Sequence, residues 1–311
     1  MSVDVHGHIS PPESIARFPM PRSLGDVEGM IERKLAVGIE LTVVGSPVGA
    51  GAMVPVPGVD NYAQTEDTLR EFHDWLAGQV AEYPDHLRAL VYVNPFGGDR
   101  HLAAALETFT GGGFVGFVVN TSVAGRYLDD PAADDFFAMA DGMRAPVMLH
   151  APAQPAAGAG LSDLRFVEQL GRFCDVTVGV ACCVLGGWLE KYPGLDLVAT
   201  AAGGALALLP EKLDLIYHAP HWGRAPRRPL PLTRPPSEYL RRLWVDTSSP
   251  SAVGLRANLE VFGADRILLG TDSPPLAGME SPVIAAIDDL PIGEGDRQAV
   301  HSGNAERLFR L

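Results

Sequence analysis

The chain has 311 residues, 47% of them hydrophobic, which suffices for one large core and excludes a disordered protein. A formal net charge of −14 repels phosphate backbones and anionic bilayers, so nucleic acid and membrane surfaces are excluded as partners and a small-molecule substrate is expected. No apolar run reaches the roughly 18 residues of a membrane span, and the start, Met1-Ser2-Val3-Asp4, lacks the basic and apolar regions of a secretory signal, which predicts a cytoplasmic protein.

Short apolar runs alternate with helical patterns along the whole chain. The runs fall at 3–6, 39–45, 89–94, 114–120, 146–150, 195–201, 243–247 and 267–271. Each is rich in β-branched or large apolar residues and nearly continuous in hydrophobicity, as parallel strands buried on both faces must be. Eight such runs with intervening helices predict a (β/α)8 barrel as a single domain over 1–311. An open doubly wound sheet is the alternative, because periodicity does not show that the ends close.

The first run leads into His6-Gly7-His8. Residues two apart on a strand face the same way, so both imidazoles aim at one point, and Gly7 lets the backbone bend. After the second run, 49–60 is rich in Gly, Pro and Val and is read as an insertion that forms a lid over the functional rim. Leu69, Phe72, Leu76 and Val80 recur at helical spacing across 66–82. The fourth run ends in Val118-Val119-Asn120, and Lys34, Lys191 and Lys212 fall on loop or helix. Asn120, Thr121 and Arg126 are candidate substrate contacts, Arg126 as a partner for a carboxylate. A second helix is predicted over 132–143, on Phe136, Phe137, Met139 and Ala140.

The fifth run finishes in His150, an apolar strand ending in a metal-capable side chain. Cys174, Cys182 and Cys183 lack zinc-ribbon spacing and are read as buried reduced thiols. The sixth run is followed by a helical segment, 206–217, and by a Pro- and Arg-rich insertion, 219–236, inside a basic stretch from Arg224 to Arg242 read as a solvated or subunit-contact segment. The seventh run contains Asp246. The eighth ends in Thr271-Asp272 before Pro274, and Asp272 supplies an oxygen ligand.

His6, His8, His150 and Asp272 thus sit at the ends of the first, fifth and eighth runs, which meet on one rim if the barrel closes. Three imidazoles and a carboxylate make a nitrogen-rich set for one divalent ion, matched best by Zn2+, with Mn2+ and Fe2+ as alternatives.

In order along the chain, VDVHGHI (3–9), GRYLDDP (125–131), PVMLHAP (146–152), LGGWLEKYPGLDLVATAAGG (185–204), WVDTSSP (244–250), ILLGTDSP (267–274) and GNAERLF (303–309) resemble the amidohydrolase superfamily. Within it they resemble the branch of aminocarboxymuconate-semialdehyde decarboxylase and related aromatic-acid decarboxylases. The resemblance implies a (β/α)8 barrel, one metal, usually zinc, on His6, His8, His150 and Asp272, a homodimer, and a metal-dependent lyase or hydrolase acting on a small carboxylated or carbonyl-bearing substrate. It also exposes a departure. The family's sixth strand ends in an acid/base histidine, and here that place is Ala201.

A methyl group carries no proton, so catalytic roles pass to Asp272, His218, His221 and Asp246 as candidates. His218 and His221 either reach the rim or lie on the outer face beyond their helix, and Asp246 either transfers a proton or orients a ligand histidine. Other readings are a hydrolase, hydratase or cyclising enzyme on the same metal, and a ligand-binding homologue without turnover.

Overall fold

The structure is a computed structural model that describes residues 2–218, 230–249, 251–276 and 278–311. Seven strands form one sheet in chain order: β1 (Ser2–His8), β2 (Ile39–Gly45), β3 (Leu87–Tyr92), β4 (Phe114–Asn120), β5 (Val147–His150), β6 (Leu197–Ala199) and β7 (Trp244–Val245). Every neighbouring pair is parallel.

The eighth run, 267–271, carries only isolated bridges, to Val245 on one side and, through Ser273, to Gly7 on the other. It nevertheless closes the ring. Leu268 N donates to Val245 O at 2.9 Å, Val5 N to Leu269 O at 2.9 Å, and Asp272 N to His6 O at 2.9 Å. The architecture is therefore the closed barrel and not the open sheet. Its eighth strand is irregular because Leu269 N turns instead to Val300 O.

Alternation along the strands separates two apolar clusters. Val3, Val5, Leu41, Val43, Leu90, Val118, Met148, Val198 and Leu268 pack together as the barrel interior. Val91, Phe117, Val119, Val147, Leu149, Leu197, Val245 and Leu269 face outward onto helical residues such as Leu102, Phe136, Phe137 and Val180. Burial on both faces is why these strands read as continuous apolar runs.

The helix expected over 66–82 is Glu66–Glu82, started by Thr65, whose side chain accepts from Thr68 N. That expected over 132–143 is a short 3-10 turn followed by Asp134–Met143. The segment 206–217 splits into Leu206–Leu208 and Pro210–His218, with Pro210 opening the second helix where its missing N–H costs nothing. Cys183 is buried as expected, whereas Cys174 is exposed, because their shared helix turns it away from the core. Among the described residues no helix is long and apolar enough to cross a membrane.

Candidate metal centre

β1 delivers His6 and His8 side by side, and its register with β2 shifts between Asp4 and Gly7. A Cβ on Gly7 would stand 2.4 Å from Thr42 Cγ2, so only glycine admits this approach. Gly270 is equally constrained: a Cβ there would meet Asp246 Cβ at 2.9 Å and His6 Cβ at 3.1 Å. The closing segment can therefore lie directly against the His6–Asp246 pair. Asp272 follows with a left-handed backbone (φ 56°), a conformation aspartate tolerates better than most residues.

The four expected ligands converge. One ligand atom from each of His6, His8, His150 and Asp272 lies within 4.8 Å of all the others, and among the described residues this is the one such cluster. His6 Nε2 is 3.1 Å from His8 Nε2, and Asp272 Oδ1 is 3.0 Å from His8 Nε2 and 3.7 Å from His6 Nε2. The three rings stand 4.9–5.2 Å apart and nearly perpendicular to one another.

Each imidazole is oriented by its other nitrogen. His6 Nδ1 donates to Asp246 Oδ2 at 2.6 Å, His8 Nδ1 to Gly45 O at 2.9 Å, and His150 Nδ1 to Ala151 O at 2.7 Å. Carbonyl oxygens only accept, so the proton sits on Nδ1 of His8 and His150 and their Nε2 lone pairs point inward. Two such lone pairs facing each other repel unless a cation lies between them. Nitrogens about 2.0–2.1 Å from one ion stand roughly 3 Å apart, the separation found here. The donor set fits a single divalent ion.

Electrostatics favour the same charge. Burial works to raise the Asp272 carboxyl, but His6, His8 and His150 outweigh it and hold it below the usual carboxylate range. Burial lowers His6, yet Asp272 and the Asp246 hydrogen bond override it and hold the imidazole up at about 8. Burial, reinforced by His6 and His8, keeps His150 well below its ordinary value.

Asp246 is fully buried. Besides His6, it accepts from Ala202 N at 2.9 Å, Ser248 N at 3.2 Å and Ser248 Oγ at 3.0 Å. It orients the ligand histidine and does not line the cavity. Asp4 is likewise buried, accepting from His6 N at 2.9 Å, Thr271 N at 3.1 Å and Thr271 Oγ1 at 2.6 Å. Lys34, buried within the helix Val27–Leu35, completes its shell with an ion pair that sequence patterning did not reveal.

The cluster opens into a cavity of about 640 Å³. From the stretch 49–60, read as a lid, Met53 and Val54 line this cavity. Ala52, Met53, Val56 and Val59 pack on Phe18, Met20 and Leu24 from the loop after β1. Ala201 also lines the cavity. It and Ala202 have left-handed backbones (φ 51° and 55°), held by Ala201 N on Ser248 Oγ and Ala202 N on Asp246 Oδ1, both at 2.9 Å.

The expected substrate contacts are engaged elsewhere. Asn120 Nδ2 donates to Pro47 O at 2.9 Å, and Thr121 Oγ1 donates to the buried Asp175 at 2.5 Å. Arg126 pairs with Asp130 at 2.8 Å, lies over the Phe96 ring at 4.1 Å and borders a separate cleft. None lines the metal cavity, because β4 ends against the β2 loop and Asp175 draws Thr121 outward. His218 ends its helix, but its side chain lies outside the described residues, as do His221, Arg224, Arg227 and Arg228. Arg234 and Arg242 bond within the chain, to Glu238 and to the carbonyls of Leu189 and Pro193.

Sequence reasoning missed the other polar wall. Glu168, Gln169 and Arg172, on the helix after β5, all face the cavity.

The chain is similar to several known proteins. A curated relative, gamma-resorcylate decarboxylase of Polaromonas sp., is 29% identical over 278 residues, covering 82% of this chain and 80% of the relative. Another, 2-amino-3-carboxymuconate-6-semialdehyde decarboxylase of Dictyostelium discoideum, is 22% identical over 201 residues, 64% of this chain and 54% of the relative. The crystal structure of a dihydroxybenzoic acid decarboxylase from Polaromonas sp. JS666, with bound manganese and the inhibitor 2-nitroresorcinol, superposes with a TM-score of 0.77 at 20% identity, covering 100% and 97% of the two chains. The family model described as Amidohydrolase matches residues 3–311, and with the metal-ready barrel mouth this makes the chain a member of the amidohydrolase family.

Proposed function

We propose that this chain is a metal-dependent carbon–carbon lyase that decarboxylates a small hydroxylated aromatic or similarly carboxylated acid. The observation that carries the reading is the convergence of His6, His8, His150 and Asp272 at the floor of a cavity large enough for a single aromatic ring. The decarboxylases named among its relatives support the substrate class. A bound divalent ion would supply Lewis acidity toward a substrate oxygen. The protein's own residues hold the three imidazoles in one tautomer, keep Asp272 ionised and seat the substrate under Met53 and Val54.

Three imidazoles with one carboxylate favour Zn2+ over the more oxygen-preferring Mn2+, although manganese occupies the crystallised dihydroxybenzoic acid decarboxylase. Ala201 is read as standing where relatives place their acid/base histidine, so the cavity gains space and loses a proton carrier. That vacancy gives a hydrolytic, hydrating or cyclising reaction on the same metal its standing as the second reading. A homodimer is supported by Phe166 and Leu170, which stand 52% and 57% exposed on the segment after β5.

The test is to purify the protein gently, measure its metal, and follow CO2 release from 2,6-dihydroxybenzoate, related hydroxybenzoates and muconate-type acids, with mass by sedimentation. About one equivalent of Zn2+, turnover of one of these acids and a dimer are expected. A metal-loaded protein that releases no CO2 from any of them rejects the decarboxylase reading.

A further inference from the structure

Resting on that decarboxylase reading, we propose that Glu168 moves the proton in this chain. Among the described residues lining the cavity, the ionisable side chains are His6, His8, His150 and Asp272, which form the metal cluster, together with Glu168 and Arg172. Asp246 is withdrawn by burial and by the four hydrogen bonds its oxygens already accept. Ala201 has nothing to donate. An arginine stays protonated throughout the working range, which leaves Glu168 as the carboxylate outside the metal cluster.

Glu168 faces the cavity because its helix is widened there. Residues Val167–Gly171 form a π turn between the α-helical segments Leu164–Phe166 and Arg172–Leu185. In a regular α-helix, positions four apart drift by about 40° per step. The wider turn offsets that drift, so Leu164, Glu168, Arg172 and Val176 all line one wall. Arg172 stands 3.9 Å from Glu168 and donates to Met53 O at 2.6 Å, tying the carboxylate to the lid loop. Its Nε is buried with no hydrogen-bond partner. Arg172 is thus a positioning residue for Glu168.

In the reaction, the Glu168 carboxylate takes the proton of the hydroxyl adjacent to the substrate's carboxylate and delivers it to the ring carbon bearing that carboxylate. The bond from this carbon to the carboxylate then breaks, its electron pair restores the aromatic ring, and CO2 leaves. The phenolate oxygen takes a proton from solvent, and Glu168 ends as it began.

The experiment compares metal-loaded wild type with Glu168→Gln and Glu168→Asp. It reads CO2 release from the best acid of the panel, deuterium uptake at the corresponding ring carbon of the product in D2O, metal content, and binding of 2-nitroresorcinol by calorimetry. Glu168→Gln is expected to lose about 10²–10⁴-fold in both turnover and exchange, while keeping its metal and binding 2-nitroresorcinol within a few-fold of wild type. Glu168→Asp should recover part of both. Wild-type turnover and exchange in Glu168→Gln overturn the proposal, as does a loss of turnover matched by an equal loss of 2-nitroresorcinol binding. An inactive wild type rejects the decarboxylase reading itself and this proposal with it.

Discussion

At the floor of the cavity, His6, His8 and His150 each have Nδ1 engaged, and Asp246 and Asp4 accept bonds on every side. The helical wall differs: Arg172 Nε has no partner, and Glu168 meets Arg172 only at 3.9 Å. A fully satisfied polar network fixes geometry, because any departure strands a buried donor or acceptor. A partly satisfied wall leaves capacity for a ligand. The floor fits an ion held in one place, and under the proposed function the wall would receive what that ion acts on.

The harshest way to break the comparison is to remove a floor ligand. His150→Ala should cut metal content from about one equivalent to near zero and abolish turnover, with the barrel still folded, since a strand-end ligand adds little to core packing. Elemental analysis beside circular dichroism checks this, and full metal retention would count against the four-ligand site.

A subtler break leaves the ligands and loosens their support. Asp246→Asn should weaken metal affinity roughly 10–100-fold, because His6 loses its anionic partner. Chelator competition measures it, and an unchanged affinity would mean that backbone packing alone orients His6.

Ala201→His sharpens the contrast from the side. The new imidazole would enter the cavity from a left-handed backbone position and is expected to lower an existing activity by occupying substrate space. A rise in CO2 release from an aromatic or muconate-type acid would show instead that a lost acid/base group had been replaced.

The last expected effect lies away from the site and leaves the metal centre untouched. His73 Nε2 accepts from Tyr92 N at 3.0 Å, so only the neutral ring fits. Burial, helped by His101, lowers its pKa from 6.5 to about 3. The unfolded chain therefore binds the extra proton between those values and the folded one does not, so this contribution is complete above the unfolded value and is lost as pH falls toward 3. Denaturant midpoints should fall across that window as the pH is lowered. The slope should flatten in His73→Gln, and an equal slope in both would remove His73 as the cause.

The metal ligands were legible because each ends an apolar run, and on a strand the side-chain direction follows from spacing alone. Helices carry no such guarantee. Leu164 to Val176 reads as an ordinary segment, and nothing in its residues announces a π turn that brings Glu168 and Arg172 to the cavity. Asn120, Thr121 and Arg126 were misjudged for a related reason: their partners Pro47 and Asp175 come from distant segments, and the third is satisfied locally by Asp130.

By itself, then, the sequence determined the alternation of strands and helices and the placement of four metal-capable side chains at strand ends. These follow from periodicity and residue chemistry, which are local. Tertiary structure decided that the ring closes through a segment too irregular to pair as a strand along its length, that Asp246 and Asp4 serve orientation from full burial, and that a helical wall supplies Glu168. Each depends on which residues meet across the chain, and such contacts are set by the packing of the whole barrel and not by any stretch of it.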